Sequence, residues 1–290
     1  MFKRMFPLVL LVLAGCAAKP EFQRASLLDT QHQRTGVFFT IETQPLIASP
    51  WDIRYQALQL DSDPNLINYL GLFEQEVNKL PSALLHLSGL ATVAFVRKLA
   101  VGAQPRAAVP DYIHEVLYYD VDAPGDAYLR HVVHHEFYHM LEQQLYGSAY
   151  YKDPKWHSLN PADFTYGKGG ASARDSSVSV FSHPHPGFVN GYAMSGLEED
   201  KAEIWAIIWA EKSWLKVAPL VESDPILQQK IRLLTAQIEC LAPELAMAWP
   251  AYIQNYLAAG AVCAHVDSIN VSVAPTETTQ SAVGNQRAGE

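Results

Sequence analysis

The chain has 290 residues, of which 49% are hydrophobic and 18% charged, and its formal net charge is −9. This length and apolar content are enough for one large domain or two small ones with a sizeable buried core. The acidic balance and the lack of a basic cluster argue against a nucleic-acid partner, because phosphate binding needs clustered Lys and Arg.

The N-terminus has the pattern of a lipoprotein signal. Basic residues precede the apolar run 5–13, which is too short to cross a bilayer core of ~30 Å. The run closes with Leu13-Ala-Gly-Cys16, which resembles the lipobox of bacterial lipoproteins. The resemblance implies that residues 1–15 are cleaved and that Cys16 is acylated, so the mature protein is anchored to a membrane through lipid. Because Ala17 follows the cysteine, we expect a cell-envelope lipoprotein in the outer membrane, facing the periplasm.

The remaining chain divides into a tether, a domain and a tail. Residues 16–34 are polar and mixed, which suits a tether. The folded domain is expected over residues 35–265. Residues 266–290 turn to Ser, Thr, Gln and Gly without a packing pattern, and we expect this tail to be disordered.

Apolar periodicity, Pro and Gly predict the elements of the domain. The first half should hold three strands and two helices, and the second half should be helical. The strands are expected at 37–42, 91–96 and 113–120. The helices are expected at 61–80, from 123–126 to before Gly147, at 197–217, 225–241 and 243–259.

The helix that ends before Gly147 contains His135-Glu-Phe-Tyr-His139, the HExxH pattern of zinc hydrolases. Residues four apart lie on one face of a helix, so His135 and His139 can present two ring nitrogens to one metal ion. Glu136 would lie beside the open coordination position, where a carboxylate can take a proton from water. The pattern therefore predicts one bound zinc ion and a general base.

A catalytic zinc normally has three protein ligands, so one more is needed. Glu199 is the best candidate, because Glu199 and Glu203 are four apart on a predicted helix and share a face. Glu199 could bind zinc while Glu203 accepts the free ring N–H of a ligand histidine. Glu203, Glu198, His183 and His185 remain alternatives for the third ligand.

An HExxH helix followed by a helix with a Glu ligand resembles the gluzincin arrangement of thermolysin-like and anthrax lethal factor-like peptidases. The likeness covers residues 135–139 and 192–203, within a chain that otherwise resembles zinc-binding metallopeptidases found as bacterial lipoproteins. In the lethal factor-like pattern a Tyr lies seven residues before the Glu ligand and points into the site. Tyr192 has this offset from Glu199, and its hydroxyl could donate to the developing oxyanion.

The resemblance implies an α+β, zincin-like fold. We expect a small, mostly antiparallel sheet, the HExxH helix beneath it, and a C-terminal helical subdomain that delivers Glu199 across the cleft. The long stretch 148–190 has no sustained periodicity and is interpreted as a wall of that cleft.

Four other residues are expected to have structural roles. His131 would lie off the end of a site filled by His135 and His139, and His134 would point about 100° away. Cys240 and Cys263 form a possible disulfide, because the predicted compartment is oxidising.

These features predict a zinc-dependent hydrolase, most simply a metallopeptidase that cleaves peptide or protein substrates. The peptide substrate is taken from the resemblance and not from the residues. One alternative is a zinc-binding lipoprotein without catalysis, although Glu136 is not needed to bind metal. The other is a hydrolase of a non-peptide cell-wall amide.

Overall fold

The computed structural model describes residues 28–29, 31–41, 51–58, 64–169, 185–243 and 248–257. Within these residues a small sheet combines with several helices, which confirms the predicted α+β class. Cys16, His183, Cys263 and the predicted tail lie outside the described residues. Among the described helices, none is long and apolar enough to cross a membrane.

The sheet is mixed and is built around one long central strand, β3. Strand β3 runs parallel to β1 and to β6, while β2 and β4 pair with it in the antiparallel sense. Strand β5 pairs antiparallel with β6 and forms an edge of the sheet. Antiparallel pairings are thus the more frequent, as predicted, but the central pairings are parallel. The strands are β1 (Phe38–Thr40), β2 (Ile53–Gln56), β3 (Thr92–Val101), β4 (Gln104–Pro105), β5 (Ala108–Asp111) and β6 (Val116–Asp120).

Strand β3 is buried on both faces because layers cover the sheet on each side. Successive side chains of a strand point to opposite faces. Val93 and Phe95 belong to the main core with the helices, whereas Ala94 and Val96 belong to a smaller core with Ile53 of β2. The sheet therefore fixes the helices on one face and carries a short second layer on the other.

Besides the helical residues 28–29 and 31–35, the described part of the chain contains seven α-helices, and helix α3 is the one that carries the HExxH pattern. It runs from Asp126 to Tyr146 and ends at Gly147, whose φ of 70° is the left-handed conformation that glycine adopts at helix ends. It packs between α1 and α5 and against β5. The helices are α1 (Pro64–Val77), α2 (Ser82–Leu87), α3 (Asp126–Tyr146), α4 (Pro154–His157), α5 (Leu197–Trp209), α6 (Glu211–Ser223) and α7 (Pro225–Leu241).

The prediction of one helix over 197–217 is wrong. Helix α5 ends at Trp209, and α6 begins at Glu211, because Ala210 has φ −88° and ψ 88°. No Gly or Pro marks this break. It allows Trp209 to pack on Trp249, with ring centroids 5.6 Å apart, and Trp214 to stack on Tyr252.

The helix predicted over 243–259 is also wrong. In the described part, Pro243 is in a 3₁₀ conformation, and residues 248–249 form a turn that is followed by a 3₁₀ helix, Ala251–Tyr256. Pro250 explains the change, because proline disfavours the α conformation of the residue before it and removes a backbone donor.

Two terminal segments bear on the predicted boundaries. Residues 31–34, within the predicted tether, are helical together with Thr35, and they contact α1. Gln31 Nε2 donates to Glu74 Oε1 over 3.0 Å, and Arg34 Nη2 donates to the carbonyl oxygen of Val77 over 3.0 Å. Cys240 is disulfide-bonded. Since Cys263 lies outside the described residues, the pairing of these two cysteines stays a prediction.

Candidate metal centre

Helices α3 and α5 bring the three predicted ligands together. The Nε2 atoms of His135 and His139 lie 3.2 Å apart on one face of α3. Glu199, in the first turn of α5, places Oε2 3.1 Å from the Nε2 atom of His135 and 3.4 Å from that of His139. All three side chains are buried, so the donor atoms converge in a site shielded from bulk water.

The donor set fits a zinc ion. Zinc–nitrogen and zinc–oxygen bonds are about 2.0–2.2 Å, so two ligands of a tetrahedral ion are separated by about 3.3–3.5 Å. The three observed separations of 3.1, 3.2 and 3.4 Å are close to these edges. Two imidazoles and one carboxylate are also a ligand set that catalytic zinc sites use. His135, His139 and Glu199 would therefore hold the ion.

Glu203 lies one turn further along α5 and contacts the opposite nitrogen of the first ligand. Its Oε1 atom is 3.0 Å from His135 Nδ1, and its Oε2 atom is 3.0 Å from His131 Nε2. Asn190 Nδ2 donates to the same Oε2 atom over 2.7 Å. The buried Glu203 carboxylate thus lies against nitrogen atoms of His131, His135 and Asn190, and we call these four residues the Glu203 clamp. A carboxylate beside the free ring nitrogen of a metal-ligand histidine can fix the orientation of the ring.

The clamp could itself be mistaken for a metal site. His131, His135 and Glu203 form a second group whose donor atoms lie close enough for an ion. However, Asn190 Nδ2 donates to the Glu203 oxygen that faces His131, so this oxygen already has a hydrogen-bond donor. His131, expected to be structural, contacts the ligand system through Glu203.

A cavity of about 250 Å³ opens beside the ligands. Glu136 lines it together with the three ligands, so a carboxylate outside the ligand set faces the space where a substrate would bind. Tyr192 also lines it, and its hydroxyl donates to Glu199 Oε1 over 3.1 Å. Glu198 lines the cavity too, but its carboxylate is not part of either group of donor atoms that could hold an ion among the described residues.

The electrostatics of the site favour a bound positive charge. Burial disfavours charge on the His135 ring, but the carboxylates of Glu199 and Glu203 outweigh it and hold the pKa of His135 well above its ordinary value. Burial would raise the pKa of Glu199, yet His135 and His139 outweigh burial and lower the pKa. The same attraction that stabilises imidazolium here would stabilise a metal cation in its place.

His134 lies on a different face of α3, as predicted, and contacts α1. Its Nε2 atom is 3.0 Å from Oε2 of the fully buried Glu76. Lys79 and Arg130 also pair with Glu76. Burial raises the pKa of Glu76, but His134 and the two cations outweigh burial and lower the pKa to about 2. This group therefore binds α3 to α1.

The cavity includes residues that sequence reasoning missed. Strand β5 contributes Ala108, Val109 and Pro110, and the next residues of the chain add Tyr112. Burial, with the negative charges of Glu136 and Glu199 nearby, raises the pKa of the Tyr112 hydroxyl well above its ordinary value. These positions have no spacing relation to the HExxH pattern, so no local signal identified them. The other missed residues are Trp51, Val101, Arg106 and Tyr150.

The predicted cleft wall, residues 148–190, is described only as far as residue 169 and from residue 185 onward. Tyr150 from this stretch lines the metal cavity. His185, an alternative ligand, does not line it. Its ring lies 5.7 Å from the Phe164 ring and 5.9 Å from the Phe188 ring, and its Nδ1 atom is 3.1 Å from the carbonyl oxygen of Pro186.

Comparison with known proteins points to the same part of the chain. The model of a family described as "putative zinc-binding metallo-peptidase" matches residues 111–236, a segment that contains all three proposed ligands, Glu136, Tyr192 and the Glu203 clamp. A solved structure from Bacteroides caccae with the same description is 14% identical, with a TM-score of 0.45, over 77% of this chain and 87% of that chain. No curated protein matches. At this general level, the chain is similar to zinc-binding metallopeptidases.

Proposed function

We propose that this protein is a zinc-dependent peptidase of gluzincin type. The observation that carries the proposal is the convergence of His135, His139 and Glu199 to within 3.1–3.4 Å of one another, with Glu136 in the adjoining cavity. The match of residues 111–236 to a zinc-binding peptidase family supports it.

The residues have distinct chemical roles in this proposal. When bound, zinc would polarise the scissile carbonyl and make water more acidic. The Glu136 carboxylate accepts a proton from the attacking water and returns it to the nitrogen of the leaving amine. The Tyr192 hydroxyl, which donates to Glu199 in this structure, exchanges that bond for one to the developing oxyanion. The Glu203 clamp holds the His135 ring in the orientation that directs Nε2 to the metal.

A peptide is favoured over a non-peptide amide because of strand β5. Ala108, Val109 and Pro110 of β5 line the metal cavity, and among the described strands β5 pairs only with β6. An extended peptide can add to such an edge through main-chain hydrogen bonds. This would place a backbone amide across the cavity that Glu136 and Tyr192 line.

The rival role, zinc binding without catalysis, is tested by Glu136→Gln. We expect the variant to bind as much zinc as the wild type by elemental analysis and to lose cleavage of a broad peptide library followed by mass spectrometry. Glu211→Gln, an exposed change in the first turn of α6, is the matched control and should keep both properties. Cleavage that survives in Glu136→Gln would exclude the proposed base.

We also propose that the protein acts in the cell envelope as an outer-membrane lipoprotein. The support is the lipobox that ends at Cys16, which lies outside the described residues. Mass spectrometry of the purified chain should find residues 1–15 removed and acyl groups on Cys16, and density fractionation should place the protein in outer membranes. Cys16→Ser should abolish both. An unmodified Cys16 in the wild type would refute the anchor.

A further inference from the structure

A second cavity, of about 660 Å³, adjoins the metal cavity. Tyr150 and Glu198 line both cavities, so the two cavities share a border at these side chains. The volume lies within the ~300–1,000 Å³ that is usual for ligand-binding pockets. The larger cavity is formed by the described part of the predicted cleft wall and by the start of α5.

Close backbone contacts fix the wall of this second cavity. Gly167 N–H donates to the carbonyl oxygen of Met194 over 3.0 Å, and Gly169 N–H donates to that of Ser195 over 2.7 Å. A Cβ atom at Gly167 would lie only 3.1 Å from the backbone oxygen of Ser195. Glycine at this position therefore permits the wall to lie directly against the segment that precedes α5.

Buried hydrogen bonds to Asp200 fix the position of Tyr166, one of the side chains that line the second cavity. Tyr166, which lines the cavity, donates its hydroxyl to Asp200 Oδ2 over 2.6 Å. Trp156 Nε1 donates to the same oxygen over 2.8 Å, and Lys230 Nζ pairs with it at 2.6 Å. Because Asp200 follows the ligand Glu199 directly, the cavity and the metal centre are attached to the same turn of α5.

Two exposed lysines, Lys152 and Lys168, line the cavity. Neither forms an ion pair with any residue that the structure describes. By contrast, the buried Lys201 pairs with Glu142, and the buried Lys230 pairs with Asp200. A concave surface with unpaired cations attracts anionic groups.

Two carboxylates also line the cavity, but neither forms an ion pair with Lys152 or Lys168. Asp153 is buried, and its oxygens accept hydrogen bonds from the backbone N–H groups of Lys155 and Trp156 and from Gln237 Nε2. Glu198 lies at the border shared with the metal cavity, with Oε1 close to Gly196 and Gly169. Lys152 and Lys168 are therefore the cationic side chains that this cavity offers to a ligand.

We propose that this cavity is a substrate subsite that binds a carboxylate of the peptide, from either an acidic side chain or a free C-terminus. Lys152 and Lys168 pair with the carboxylate, while Tyr150, Tyr166 and Leu197 contact the apolar part of the same residue. The identification of the ligand as a peptide rests on the proposed function.

Binding to the full-length, zinc-loaded Glu136→Gln protein tests the subsite without turnover. The probes are three short fluorescent peptides of Gly, Ser and Ala. The first is capped and carries one Glu, and the second is capped and carries one Gln. The third is uncapped and has a free C-terminal carboxylate. Fluorescence anisotropy should show that the capped Glu peptide, the uncapped peptide, or both bind at least about tenfold more tightly than the capped Gln peptide. Which of the two binds tightly identifies the source of the carboxylate.

Charge reversal then tests whether Lys152 and Lys168 are the groups that bind the carboxylate. Adding Lys152→Glu and Lys168→Glu should remove the preference for a carboxylate. The matched control, Lys155→Glu with Lys212→Glu, changes the net charge equally at exposed positions that do not line the cavity, and it should keep the preference. Circular dichroism shows whether each variant is folded.

Equal binding of all three peptides, or an equal loss of preference in the control variant, would refute the subsite. Failure of the proposed function is read separately, from the wild type. A carboxylate preference that depends on the two lysines, without cleavage of any peptide, would retain the subsite and reject the peptidase. Cleavage of a peptide by the wild type, without a carboxylate preference that depends on the two lysines, would retain the peptidase and reject the subsite.

Discussion

Glu203→Gln should weaken zinc binding without abolishing it. In the wild type, the two oxygens of Glu203 face His135 Nδ1, His131 Nε2 and Asn190 Nδ2 at 3.0, 3.0 and 2.7 Å. Glutamine keeps the shape of the side chain but has one oxygen and an NH₂ group. At least one of the three donors must then face another donor, and the His135 ring loses its charged acceptor.

The magnitude follows from the position of Glu203 beside a ligand. Loss of a hydrogen-bonding partner to a metal ligand typically costs 10–100-fold in metal affinity, or about 1.4–2.8 kcal/mol. A buried donor left without an acceptor also lowers the free energy of unfolding by about 1–3 kcal/mol. We therefore expect a zinc Kd about 10–100-fold higher and a lower unfolding midpoint for the metal-free protein.

A competition titration against a chromophoric chelator measures the Kd, and urea unfolding of the metal-free protein measures the stability. Glu199→Ala serves as the reference, because it removes a proposed ligand. If Glu203→Gln lost as much affinity as Glu199→Ala, Glu203 would be a ligand and the assignment of the third ligand would be wrong. If it lost none, the Glu203 clamp would have no role in metal binding.

Three further outcomes follow from the same contacts. Glu199→Ala should lose most of the bound zinc in elemental analysis, whereas Glu198→Ala should retain it, and the opposite result would transfer the role of ligand to Glu198. Tyr192→Phe should lower kcat by roughly 10²-fold with little change in KM, because its proposed bond to the oxyanion exists only in the transition state; an unchanged kcat in steady-state assays would contradict that role. The pKa of Glu76 is lowered to about 2 from an ordinary value of 4.5, so its stabilisation is complete above pH 4.5 and is lost as the pH falls towards 2. Between these pH values, the urea midpoint of the wild type should fall more steeply than that of Glu76→Gln; parallel profiles would show that Glu76 is not responsible.

The parts of the site that lie on one helix could be predicted from spacing alone. A helix repeats its faces every three to four residues, so the relation of His135 to His139 and of Glu199 to Glu203 is fixed once each segment is helical. The end of α3 at Gly147 was predictable for the same local reason, since glycine readily adopts φ 70°. These predictions required no knowledge of how the two helices pack.

Features that depend on contacts between distant segments could not be predicted in this way. Strand β5 contains Pro110 and has only four residues, so its sequence has no clear alternation, and its place beside α3 depends on pairing with β6. His131 was expected to have a structural role because of its position on α3. Its bond to Glu203 could not be foreseen, because it depends on the register between α3 and α5.

The register between these two helices is fixed on both sides of the metal donors. On one side, Glu203 of α5 contacts His131 and His135 of α3. On the other, the buried Lys201 of α5 pairs with Glu142 of α3 at 2.7 Å, one turn beyond His139. Removing one partner of a buried ion pair typically costs about 3–5 kcal/mol, so sliding one helix along the other would carry a large penalty. On α3, the two histidines that face Glu199 lie within the span from His131 to Glu142 that these contacts cover. This implies that the distance from Glu199 to both histidines is set by the fold before a metal ion binds.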